Sequence, residues 1–193
     1  MAPSSARNQA TYRALLQAVS GPGCVVRLSG LETLSPLASI RAVVECLLDH
    51  EVGVCILGAR PVPVALAAAV AATGARPMPI DRADFLVVVG PDSRGGLTAV
   101  RRGSHESPED GATVIYSLDG AGAPSSDRFR VRLEGPGIAE AGGRVPDMRG
   151  IPAPELQALS EVNADYPLGV DAFFVRPSGE VMAIPRSTRI QVR

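Results

Sequence analysis

Tyr12, Leu15, Leu16 and Val19 fall at positions i, i+3, i+4 and i+7, which puts them on one face of a helix predicted over residues 8–20. Gly21-Pro22-Gly23 then stops that helix. Residues 24–28 read as a strand, and Ser35-Pro36 is an N-cap and first-turn pair. It opens a second helix through Leu37, Ile40, Val43, Val44, Leu47 and Leu48, with Asp49-His50 at its end. Residues 52–57 form an apolar run fit for a buried strand, and an Ala-rich helix follows over 63–73, closed by Gly74. The buried-strand pattern returns at 85–89. This alternation of strand and helix favours parallel pairing with helical crossovers.

The second half of the chain changes character. Strands are predicted over 112–118 and 128–134, separated by the turn-rich stretch 119–127, and they read as an antiparallel pair. Gly135-Pro136-Gly137 leads into a Gly/Pro-rich stretch and a short helix near 154–162. Segments 170–175 and 180–184 flank Arg176-Pro177-Ser178-Gly179 as a closing hairpin. The expected fold is one α/β domain over 1–193, a mixed β-sheet with flanking helices, without internal repeat, coiled coil or domain linker.

Composition narrows the chemistry. Apolar residues make up 46% of the 193 residues but aromatics only 4%, with no Trp, so the core is built mainly from Val, Leu, Ile and Ala. Basic and acidic residues nearly cancel, 19 against 20, so no net field draws the chain to nucleic acid or to an anionic membrane. All the basic residues are Arg; the sequence contains no Lys, which excludes chemistry that needs a lysine amine. Cys24, Cys46 and Cys55 lack the close pairing of a zinc or redox motif and read as small apolar residues in a reducing compartment. Residues 1–8 carry no apolar stretch of a secretory signal, and the most apolar helix, 62–72, is too short to span a bilayer. The expected location is the cytoplasm.

The candidate sites are few. Neither Gly21-Pro22-Gly23 nor Gly135-Pro136-Gly137 fits a P-loop or dinucleotide pattern, and the central Pro removes a donor that a phosphate nest would use. Ser104-His105-Glu106 offers nucleophile, base and acid side by side, but adjacent residues do not face one another, and the surroundings read as a solvated loop. Polar information is densest near the C-terminus, in Asn163, 166–171 and 184–188. There Asp171 enters an apolar strand and Arg186 follows Pro185 after another, so the hairpin could pair carboxylate with guanidinium, as a structural ion pair or as part of a ligand site.

Several segments, in order along nearly the whole chain, resemble the PhnH subunit family of the bacterial carbon-phosphorus lyase core complex. They are the stretch from Tyr12 to Gly23, Leu47-Leu48-Asp49, Pro108-Glu109-Asp110-Gly111-Ala112-Thr113, Leu133-Glu134-Gly135-Pro136-Gly137-Ile138, Tyr166-Pro167-Leu168-Gly169-Val170-Asp171 and Ile184-Pro185-Arg186-Ser187-Thr188. The departures are mild: Tyr166 stands where Phe is expected, and Ser187 where Thr is typical. The resemblance implies a fold similar to the pyridoxal-phosphate-dependent transferases without the cofactor, a homodimer, and partnership with the G, I and J subunits. It also implies a supporting role in forming α-D-ribose 1-methylphosphonate 5-triphosphate from ATP and a phosphonate during phosphonate catabolism. No catalytic set, metal site or cofactor is expected on this chain. The alternative is a phosphate- or nucleotide-binding subunit that contributes directly to the ribosyl transfer, with Glu109, Asp171, Arg186 and Thr188 as the ligand-holding residues. A pyridoxal enzyme fails for want of a Lys.

Overall fold

The computed structural model describes residues 2–31, 37–58, 62–118 and 129–193. The chain runs through α1 (Ala2–Ser20), β1 (Val26–Arg27), α2 (Ala38–Leu47), β2 (Gly53–Gly58), α3 (Val64–Thr73), β3 (Arg76–Pro77), β4 (Phe85–Val89) and β5 (Thr113–Ser117). It continues through β6 (Val131–Glu134), α4 (Ala153–Val162), β7 (Asp171–Val175), β8 (Glu180–Ile184) and β9 (Arg189–Val192). A seven-stranded sheet has the order β1-β8-β7-β5-β4-β2-β3, and β6 and β9 form a second, two-stranded sheet. In the large sheet β3, β2, β4, β5 and β7 are parallel, while β8 and β1 add antiparallel strands at one edge. The architecture is α/β, a mixed sheet with flanking helices.

The alternation of side chains along each central strand divides the interior in two. On one face Val87, Ile115, Phe173 and Ala183 meet α1, α2 and α3 through Leu15, Ile40, Val43, Val44 and Leu66. On the other, Leu86, Val114, Tyr116, Phe174 and Ile184 meet Leu156 and Leu159 of α4 and Leu133 and Ile190 of the small sheet. Three layers result, with the large sheet buried on both sides. As expected, α3 ends at Gly74, whose φ of 80° is the left-handed conformation that closes a helix at little cost only for Gly. Ser35-Pro36 and the turn 119–127 lie outside the described residues.

Two expectations are corrected. Strands β5 and β6 do not pair: β5 is parallel to β4 and β7, and β6 pairs antiparallel with β9. Val114, Ile115 and Tyr116 are all fully buried, the mark of a two-sided interior strand, whereas β6 alternates buried Val131 and Leu133 with half-buried Arg132 and Glu134. Helix α1 buries Thr11, Ala14, Leu15 and Ala18, leaving Tyr12 and Leu16 about half exposed at 50% and 51%. Its packing face is turned by one residue from the apolar stripe. Small Ala side chains let it approach the sheet and α2, and bulk hydrophobicity misses that preference for close approach.

Candidate functional site

The strongest polar focus is Arg186, just past the end of β8. Asp171 opens β7, and the antiparallel register of β7 with β8 brings the two residues together across the hairpin. The Arg186 backbone N–H donates to Asp171 Oδ1 at 2.9 Å, and Nε and Nη2 donate to Oδ2 at 3.2 and 2.8 Å. Nη1 donates to the Pro108 carbonyl at 2.6 Å and Nη2 to that of Gly111 at 3.3 Å. The guanidinium is thereby almost fully used inside the molecule. With side chains 15% and 32% exposed, this is a partly buried ion pair that also fastens the loop before β5.

Glycines and one amide build the approach to this pair. A Cβ on Gly111 would stand 2.5 Å from Arg186 Nη1 and 2.4 Å from the Gly169 carbonyl, so the loop reaches the guanidinium only without a side chain there. Buried Asn163, at the C-terminus of α4, clips both backbone groups of Val170: Oδ1 accepts from its N–H at 2.8 Å and Nδ2 donates to its carbonyl at 3.0 Å. Gly169 sits against that amide at φ 136°, where a Cβ would meet Asn163 Oδ1 at 2.4 Å. Gly169→Ala is therefore expected to lower unfolding free energy by about 2 kcal/mol. Chemical denaturation checks this, and an unchanged midpoint would contradict the strain argument.

Beside the ion pair lies a cleft of about 470 Å³, walled by α4, by the segment from Arg186 to Ile190, and by Glu134, Gly135 and Tyr166. A shallower hollow of about 300 Å³ adjoins it through Tyr166, Arg186 and Ser187, with Pro108, Glu109 and Pro167 on its rim. Thr188 lines the larger cleft, exposed Glu109 the smaller, and Arg186 both, with Asp171 bonded to Arg186 behind them. The four sequence candidates thus lie in one region. Sequence reasoning left out Tyr166, Ser187 and Arg189 as site residues. The signal available was a run of polar residues, 186–189, leaving a buried strand.

A second polar cluster is enclosed under α4. Glu155, 5% exposed in the first turn of α4, accepts from Tyr116 Oη at 2.6 Å and from Ser93 Oγ at 3.2 Å. Burial pushes its carboxyl above the ordinary range despite both hydrogen bonds, and burial together with Glu155 pushes the Tyr116 phenol well up. Tyr116 also stacks on Phe174 with ring centroids 4.8 Å apart. By contrast His105 and Asp165 are exposed, 3.7 Å apart, and Ser104 Oγ accepts from the Ser107 N–H as a turn would have it. Among the described residues no group of three or more His, Cys, Asp or Glu could hold a metal.

A family model described as bacterial phosphonate metabolism protein (PhnH) matches residues 2–191. The chain belongs to the PhnH family. It is also similar to the C-P lyase subunit protein HtxG of Stutzerimonas stutzeri, at 33% identity over 189 residues, covering 97% of this chain and 87% of that protein. The PhnH family is one of bacterial phosphonate metabolism. In this PhnH-family chain, four of the segments that carry the resemblance meet in space, 108–113, 133–138, 166–171 and 184–188. Pro108 and Gly111 bind Arg186, Asp171 pairs with it, and Gly135 lies against the carbonyl of Ser187.

Proposed function

We propose that this chain is a non-catalytic subunit of a carbon-phosphorus lyase complex. Its role is to support formation of α-D-ribose 1-methylphosphonate 5-triphosphate from ATP and a phosphonate. The observation that carries the reading is the inward commitment of Arg186. Its guanidinium is taken up by Asp171 and by backbone carbonyls, and among the described residues no hydrogen bond joins a nucleophile to a base beside it. The name of the related HtxG supports membership of such a complex. The reading extends to a fold like that of the pyridoxal-phosphate-dependent transferases without the cofactor, a cytoplasmic location, a two-fold homodimer and contacts with the G, I and J subunits. No described helix is long and apolar enough to cross a membrane. Recovery of the partner subunits with the tagged full-length chain from phosphate-starved cells tests it; a chain that brings down none of them overturns it.

One surface suits a partner. Tyr12 and Leu16 stand one turn apart on the outer face of α1, both about half exposed. Leu16→Asp is expected to leave the melting temperature within a degree or two, since an exposed site changes stability by about 0.5 kcal/mol or less. Recovery of partner subunits, or of the homodimer in light scattering, should fall. Unchanged recovery of both would remove this face from the assembly.

The second reading, a phosphate- or nucleotide-binding subunit, draws on a separate observation: the cleft beside Arg186, which Tyr166, Ser187, Thr188 and Arg189 line.

A further inference from the structure

The small sheet turns Val131, Leu133 and Ile190 toward the core and the alternate residues outward. Its outer face therefore carries Arg130, Arg132 and Glu134 on one strand, and Arg189, Gln191 and Arg193 on the other. Arg130 and Arg193 lie one residue beyond β6 and β9 and prolong the ladder. The Arg130 N–H donates to the Arg193 carbonyl at 2.8 Å, and the Arg193 N–H donates back to the Arg130 carbonyl at 2.9 Å. Two guanidinium-bearing residues thus stand directly opposite each other. Like charges so placed cost a sheet stability.

Nothing on the face offsets that cost. Among the described residues no ion pair joins Arg130, Arg132, Arg189 or Arg193 to a carboxylate. Arg132 gives one N–H to the Gly142 carbonyl and Arg193 one to Gln191 Oε1 at 3.3 Å, while the side chains of Arg130 and Arg189 give none. Each guanidinium has five N–H donors, so most donors on this face are open. Arg130, Arg189 and Arg193 are exposed, and Arg132 is half-buried. Glu134, the one carboxylate side chain in the row, lies at the far end opposite Arg189.

We infer that the outer face of the small sheet docks an acidic segment of a partner protein. The forked guanidinium matches a carboxylate with two parallel hydrogen bonds. Along one strand, same-face residues recur every ~7 Å, and an extended acidic segment projects alternate carboxylates at that same repeat. Four Arg against one Glu make this face basic in a chain whose net charge is −1, so the remainder of the molecule is net negative. A long polyanion such as nucleic acid meets that opposing field beyond the face, whereas a short acidic segment does not. The contact rests on the assembly reading and lies across the large sheet from the Tyr12 and Leu16 face of α1.

Arg130→Glu tests it, because the substitution turns the like-charge pair with Arg193 into an opposite-charge pair. The variant should melt at or above the wild-type temperature. Recovery of partner subunits with the tagged full-length chain should nonetheless fall ~10-fold, with Arg132→Gln lowering it in the same direction. Wild-type recovery should weaken as ionic strength rises. A labelled peptide of alternating Glu and Ser, titrated into the full chain, reads the same face without the partners. It should bind saturably, and Arg130→Glu should weaken it ~10-fold. Full partner recovery with both variants overturns the inference and leaves the assembly reading standing. A wild-type chain that recovers no partner overturns the assembly reading, and the peptide then decides: binding lost in the variant keeps the acidic contact, and no saturable binding sinks it as well. Arg130→Glu melting below the wild type would make the Arg pair part of the scaffold, and tighter binding of a single-stranded oligonucleotide than of the peptide would make the face one for nucleic acid; either result overturns the inference.

Discussion

Replacing Arg186 by Ala is expected to lower the unfolding free energy by about 2 kcal/mol, since a partly buried ion pair is lost together with hydrogen bonds to two backbone carbonyls. Asp171 would keep its bond to the backbone N–H of residue 186 but lose both guanidinium contacts, and the carbonyls of Pro108 and Gly111 would lose theirs. Much of the loss comes from the carboxylate left partly buried without a countercharge. Asp171→Asn should therefore be milder, since a neutral amide tolerates the site better and its oxygen still accepts. A double-mutant cycle on Asp171 and Arg186, read by chemical denaturation, isolates the coupling. If Arg186→Ala unfolds at the wild-type midpoint and only ligand affinity is lost, Arg186 serves a ligand rather than the scaffold.

The buried carboxyl of Glu155 should give the second large effect. Glu155→Ala removes an enclosed side chain and strands the Tyr116 phenol and the Ser93 hydroxyl, at a cost of about 3 kcal/mol. Glu155→Gln should behave in the opposite sense, with a pH signature. The carboxyl of Glu155 titrates higher in the folded protein than in the unfolded chain. Between those two values the folded state holds a proton that the unfolded state has released, so stability falls as pH rises. The contribution is complete below the unfolded carboxyl's value and is lost as pH climbs through the raised folded one. Glutamine imitates the protonated form: its oxygen accepts from Tyr116 and its amide donates to Ser93. The variant should match the wild type in acid and gain on it toward neutral pH. Denaturation midpoints of both proteins across that window decide the matter, and parallel pH curves would show that Glu155 does not titrate as the burial argument requires.

The central strands were legible because their signal is local. The run Phe85 to Val89 is continuously apolar and its strand has those bounds, and the hairpin 171–184 has the expected pairing. The pairing of Asp171 with Arg186 was legible too, since a short hairpin fixes which residues face each other. What escaped depends on distant partners. Nothing near Arg186 in sequence announces the carbonyls of Pro108 and Gly111, 78 and 75 residues away. Ser93, Tyr116 and Glu155 come from a loop, a strand and a helix, and Glu155 resembles any acidic residue in a first helical turn. The face of α1 was misread because apolar size was counted where the helix packs by small side chains.

The order of strands in the large sheet also constrains when the chain can fold. β5 lies beside β7, and the stretch of chain between them contributes β6 and α4 to the opposite layer. β1, near the start of the chain, has β8, near its end, as its strand partner among the described residues. As the polypeptide leaves the ribosome, the segment through β5 therefore has a sheet edge without its neighbour and a first strand without that partner. Closing such long loops is slow, because their entropy is lost before the distant contacts form. The last strands act as the latch: until residues 171–184 have emerged, the nascent chain carries an unpaired apolar edge, the kind of surface that chaperones shield and aggregation exploits.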